Sequence, residues 1–110
     1  MKALLPLLLL ASPLAADPAV IEDVRYANGR FEVTLSHADT GWDDYADGWR
    51  IELADGTVLG TRVLAHPHVE EQPFTRSSSI AVPSGVAQVF VRASTNVDGW
   101  ADATKLFPLP

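Results

Sequence analysis

The sequence predicts an all-β fold, a single antiparallel β-sandwich of about seven strands. Three observations lead there. Short stretches of alternating apolar and polar residues recur about every ten positions. Turn-forming dipeptides separate them, among them Asn28-Gly29, Asp55-Gly56 and Ser84-Gly85. No window carries the 3.6-residue apolar period of a surface helix.

In chain order, AVIEDVRYA (19–27) reads as a first strand and ends at Asn28-Gly29, a two-residue hairpin signal because both positions accept positive φ. RFEVTLSH (30–37) alternates cleanly, with Phe31, Val33 and Leu35 on one face and Glu32, Thr34 and Ser36 on the other. GWRIELA (48–54) places Trp49, Ile51 and Leu53 inward and Arg50 and Glu52 outward. Asp55-Gly56 then turns the chain into TVLGTRVLA (57–65). PFTRSSSIAVP (73–83) follows, and Pro83-Ser84-Gly85 closes it. VAQVFVRAS (86–94) sets Val89, Val91 and Ala93 on one face, and ATKLFPL (103–109) is the last strand, its prolines blunting an edge.

The stretch VFVRASTNVDGW (89–100) resembles the F strand and F–G loop of fibronectin type III and related immunoglobulin-like modules: an alternating apolar strand ends in a small residue, and an Asn and a Gly follow. The resemblance implies a sandwich with Trp49 as its core tryptophan. The segment DGTVLGTRVLAHPHVEEQPFTRS is similar to one found in small exported bacterial proteins, which implies the same fold and no particular activity.

MKALLPLLLLASPLAA (1–16) has the layout of a secretory signal peptide: Lys2, a short leucine-rich core, then small residues. Its apolar run is too short for a stable spanning anchor, and no later segment approaches the length of a membrane span. The expectation is an exported, periplasmic or secreted protein whose domain is residues 17–110. The chain carries 14 Asp and Glu against 8 Lys and Arg, a formal charge of −6. That balance argues against nucleic acid and anionic membrane as partners. With no cysteine in the chain, a disulfide-framework fold is excluded.

Three segments hold residues suited to binding. In HPHVEEQPFTR (66–76), His66 and His68 are two apart, so an extended chain points both to one face, and Glu70 continues the phase. With His37 alongside they would suit Zn(II) or Cu(II). Arg76 shares the phase of Phe74 and can pair with Glu70 or Glu71, which makes the segment a locked structural loop without any ligand. In ADTGWDDYADG (38–48), Asp39, Asp43, Asp44 and Asp47 have the density of a Ca(II) loop, but the spacing departs from the EF-hand pattern, and a solvated connection is expected instead. Trp42, Tyr45 and Trp100 fall in two loops that a fibronectin-like topology brings to one end, where exposed rings would suit an unknown protein or glycan partner. Ser77, Ser78 and Ser79 lie in a strand and not in a nucleophile elbow. The sequence therefore reads as a non-catalytic, monomeric binding or accessory module, with a metal-binding protein as the alternative and no cofactor otherwise.

Overall fold

The computed structural model describes residues 17–110, so the signal peptide read at residues 1–16 lies outside the described residues. Eight strands succeed one another: β1 (Val20–Ala27), β2 (Arg30–Ser36), β3 (Ala46–Glu52), β4 (Val58–Val63), β5 (Phe74–Ser79), β6 (Gln88–Thr95), β7 (Gly99–Trp100) and β8 (Lys105–Pro108). They form two antiparallel sheets, β1-β2-β5 and β4-β3-β6-β7, with β8 also paired to β6. The chain is all-β and a sandwich.

Turn chemistry explains the hairpins. Asn28 and Gly29 both have positive φ (53° and 75°), the pair a type I′ turn requires between β1 and β2. At the β3–β4 connection the Gly56 amide donates to the Leu53 carbonyl (2.9 Å) and the Leu53 amide to that of Thr57 (2.8 Å). Gly56 holds φ 90° there, as the last residue of a three-residue hairpin loop must.

Alternation places the core. Phe31, Val33 and Leu35 of β2 face Trp49 and Ile51 of β3 and Val89, Val91 and Ala93 of β6, all buried. Full burial of each large apolar side chain stabilises the fold by about 1.5–3 kcal/mol. Phe31 is braced by the Tyr26 ring at 4.5 Å and, edge-on, by Phe107 at 6.4 Å. At Gly60 the sheets come so close that a β-carbon would sit 2.8 Å from Ile80 Cγ1.

One expectation needs correction. The last strand read at 103–109 is present as β8, which pairs with Gln88–Val91, but a further two-residue strand, β7, forms before it and pairs with Ser94 and Thr95. Trp100 therefore lies on a sheet and not in a loop, on a strand too short for any alternation to show. Glu52 does point away from the core, yet it is only 2 % exposed. Arg92 and Arg50 each donate from Nε to its Oε2 at 2.7 Å and cover it. The Arg92 hydrogen bond, more than the Arg50 one, holds the Glu52 carboxyl below the usual carboxylate range.

Candidate functional site

The β2–β3 loop, the β4–β5 loop and the β6–β7 loop meet through side-chain hydrogen bonds, and the fully buried Asp39 carboxylate is the hub of the first two. Its Oδ1 accepts from the Ala46 amide at 3.0 Å and from His37 Nδ1 at 2.6 Å, while Oδ2 accepts from the His68 amide at 2.8 Å. Gln72 adds a second tie. Its Oε1 accepts from the His37 amide (2.9 Å) and its Nε2 donates to the His68 carbonyl (2.9 Å). The aspartate-rich loop is thus not the solvated connection its composition suggests, because its first carboxylate satisfies donors from three separate segments. Asp47 likewise accepts from the Ser94 hydroxyl at 2.5 Å.

The histidines have distinct surroundings. Both ring nitrogens of His37 face oxygen acceptors, Asp39 Oδ1 on one side and the Asp17 carbonyl at 3.0 Å on the other, with Asp44 Oδ1 at 3.6 Å. His68 is buried with its ring stacked on Phe74 at 3.9 Å, and its Nε2 accepts from Arg76 Nη2 at 2.9 Å. Burial, aided by the Arg76 charge, pushes the His68 ring below its ordinary range. His66 is exposed and donates from Nδ1 to the Pro67 carbonyl at 3.0 Å; its ring centroid is 4.6 Å from that of His68. Glu70 lies exposed on the loop. Among the described residues no group of three or more His, Asp or Glu side chains is placed to hold a metal ion. The structure brings His66 and His68 together but does not converge His37 on them.

Arg76 donates to Glu71 Oε1 at 3.0 Å as well as to His68, and its guanidinium lies 5.6 Å from the Phe74 ring centre. This bond lowers the Glu71 carboxyl. HPHVEEQPFTR is therefore held by one guanidinium, one carboxylate hub and one glutamine.

The aromatic residues divide into two places. Trp42 is 66 % exposed, and Tyr45 meets it edge-on at 5.6 Å. Asn96, from the β6–β7 loop, fixes both: its Oδ1 accepts from the Tyr45 amide (2.8 Å) and its Nδ2 donates to the Trp42 carbonyl (2.9 Å). Trp100 instead lies on the outer face of the larger sheet, with the Arg50 guanidinium 4.2 Å above its ring. Sequence reasoning missed Asp39, Gln72 and Asn96 as organisers, because apart from His37 for Asp39 and His68 for Gln72 their partners are 7 to 54 positions away in the chain.

A protein of Halomicrobium mukohataei described as a "Putative lipoprotein" is 47% identical over 77 residues, covering 67% of this chain and 38% of that protein. The chain spans about two fifths of that relative's length. No family model matches the chain, and no solved structure matches it. Among the described residues no helix is long and apolar enough to cross a membrane.

Proposed function

We propose that this chain is an exported, non-catalytic binding module that engages a protein or glycan partner through the loop end bearing Trp42 and Tyr45. The observation that carries the proposal is the conjunction at Trp42: a large ring two-thirds exposed on a backbone clamped from a second loop by Asn96. A ring held in this way loses little conformational freedom on binding, which is what makes Tyr and Trp effective at recognition surfaces. Asp43 and Asp44 beside it supply the acceptors that hydroxyls or amides of a ligand require.

Export is supported by the leader-like residues 1–16 and by the lipoprotein description of the relative. The non-catalytic reading is supported by His37, whose two nitrogens are already engaged and leave none to exchange a proton with a substrate. The strand order β1-β2-β5 against β4-β3-β6-β7 supports the fibronectin type III character that the resemblance implies.

The test is chemical-shift mapping of the isotope-labelled protein against soluble hexasaccharides of chitin, cellulose, laminarin and xylan, then against a peptide digest of envelope proteins. The expected result is saturable movement of the Trp42 indole and Asn96 signals, abolished in Trp42→Ala. Binding that maps elsewhere and survives Trp42→Ala would overturn the proposal, and so would silence with every probe.

A further inference from the structure

Charge is distributed unequally between the two ends of the sandwich. The loops that meet at one end, residues 37–45, 64–73 and 96–98, hold Asp39, Asp43, Asp44, Glu70, Glu71 and Asp98 and no Lys or Arg. At the opposite end the connections 28–29, 53–57 and 80–87 hold one charged residue, Asp55. Two arginines reach the acidic end from the strands, Arg62 near the end of β4 and Arg76 in β5. Arg76 is spent on Glu71 and His68. Six carboxylates against two guanidiniums leave this end negative whatever Arg62 does.

Each acidic loop also exposes an apolar side chain next to a carboxylate in sequence: Trp42 before Asp43, Val69 before Glu70 and Val97 before Asp98. Asp43, Glu70 and Asp98 are exposed as well and, among the described residues, none of them forms an ion pair. Asp44 Oδ1 is buried with no hydrogen-bond partner, and His37 Nε2 stands off at 3.6 Å. The negative charge here is therefore left uncompensated, unlike that of Glu52, which two guanidiniums cover. Asn96 ties the Val97 loop to the Trp42 carbonyl, so one fixed surface carries the ring, Asp43, Val97 and Asp98.

We infer that the partner at this loop end is a basic protein segment, whose Lys or Arg side chains lie over the Trp42 ring and beside Asp43 and Asp98 while its apolar residues meet Val97. The inference rests on the proposed binding role of Trp42 and narrows its occupant. A cation is attracted to the face of an exposed ring, and most strongly to that of Trp. Carboxylates around the ring concentrate positive ligands at it and repel acidic ones. A neutral glycan would cover the ring and leave the charge unanswered. Nucleic acid and anionic membrane would be repelled.

Three hexapeptides that alternate leucine with lysine, glutamine or glutamate test the inference, each titrated into the isotope-labelled protein alongside cellohexaose. The lysine peptide alone is expected to move the Trp42 indole and Val97 amide signals saturably, and to bind more weakly as salt is raised. Asp43→Asn/Asp98→Asn alters only two exposed side chains and is expected to weaken that binding about tenfold. Binding of the glutamine peptide or of cellohexaose as tight as that of the lysine peptide, and lost in Trp42→Ala, would overturn this inference and leave the binding role of Trp42 standing. No response to the lysine peptide, shifts confined to other parts of the chain, or an unaltered response in Asp43→Asn/Asp98→Asn would overturn it too. Lysine-peptide binding that survives Trp42→Ala would overturn both readings, because the cation then ignores the ring.

Discussion

Asp39→Ala removes the acceptor for three buried or part-buried donors at once: the Ala46 amide, the His68 amide and the His37 ring. A hydrogen bond to a charged group is worth about 1.5–3 kcal/mol, and stranding one buried donor costs about 1–3 kcal/mol. Some donors will recover water as the loop relaxes, so the three do not sum in full. The expected loss is about 4 kcal/mol, against the roughly 5–15 kcal/mol that stabilises an ordinary domain. Asp39→Asn keeps the shape and one carbonyl oxygen, so it should lose about 2 kcal/mol, mainly because its amide confronts a donor that Oδ1 or Oδ2 now accepts. Urea unfolding followed by tryptophan fluorescence measures both, since Trp49 is fully buried. A loss below about 1 kcal/mol for Asp39→Ala would refute the reasoning that this carboxylate organises the loops.

Other outcomes follow from the same geometry. Because the folded-state His68 ring is held below its ordinary value of 6.5, the unfolded chain takes up its proton first as pH falls. Stability is thus expected to be full above about pH 6.5 and to decline below it. Unfolding curves of His68→Gln, which lacks this titration, should be flatter between pH 7 and 5. Glu52 and Glu71, both lowered, contribute stability that is lost in a second, more acidic window below their ordinary value of 4.5. Gly60→Ala drives a β-carbon into Ile80 Cγ1 and Cγ2 and should destabilise by about 1–3 kcal/mol, with Gly60→Ala/Ile80→Ala, which removes both atoms, losing less in thermal unfolding than the sum of the two single losses. Trp42→Ala should change stability by less than about 0.5 kcal/mol, because the ring packs mainly against solvent and Tyr45.

The strands were legible because each carries its own period: β2 and β6 can be read as strands from seven or eight residues without knowing their partners. The Arg76–Glu71 bond was also legible, since strand phase and a five-residue separation suffice to suggest it. Alternation points Glu52 outward but does not reveal that it is covered, because the cover comes from Arg92, forty positions away, and pattern along one strand is blind to what a neighbouring strand lays over it. Asp39 was counted with three other aspartates as one solvated charge cluster. Composition cannot tell which member of such a cluster turns inward, because that is decided by donors at 37, 46 and 68 that only the folded chain assembles.

Asn96 gives the two loops it joins a shared fate. Loops on a sandwich are ordinarily the modular part, free to change length and sequence one at a time while the strands stay fixed. Here one amide side chain holds the Trp42 carbonyl and the Tyr45 amide, so a new sequence in either loop alters the footing of the other. Variation at this end must proceed in coordinated steps, and a library that randomises the β2–β3 loop while discarding Asn96 would sample loosened backbones and not new specificities.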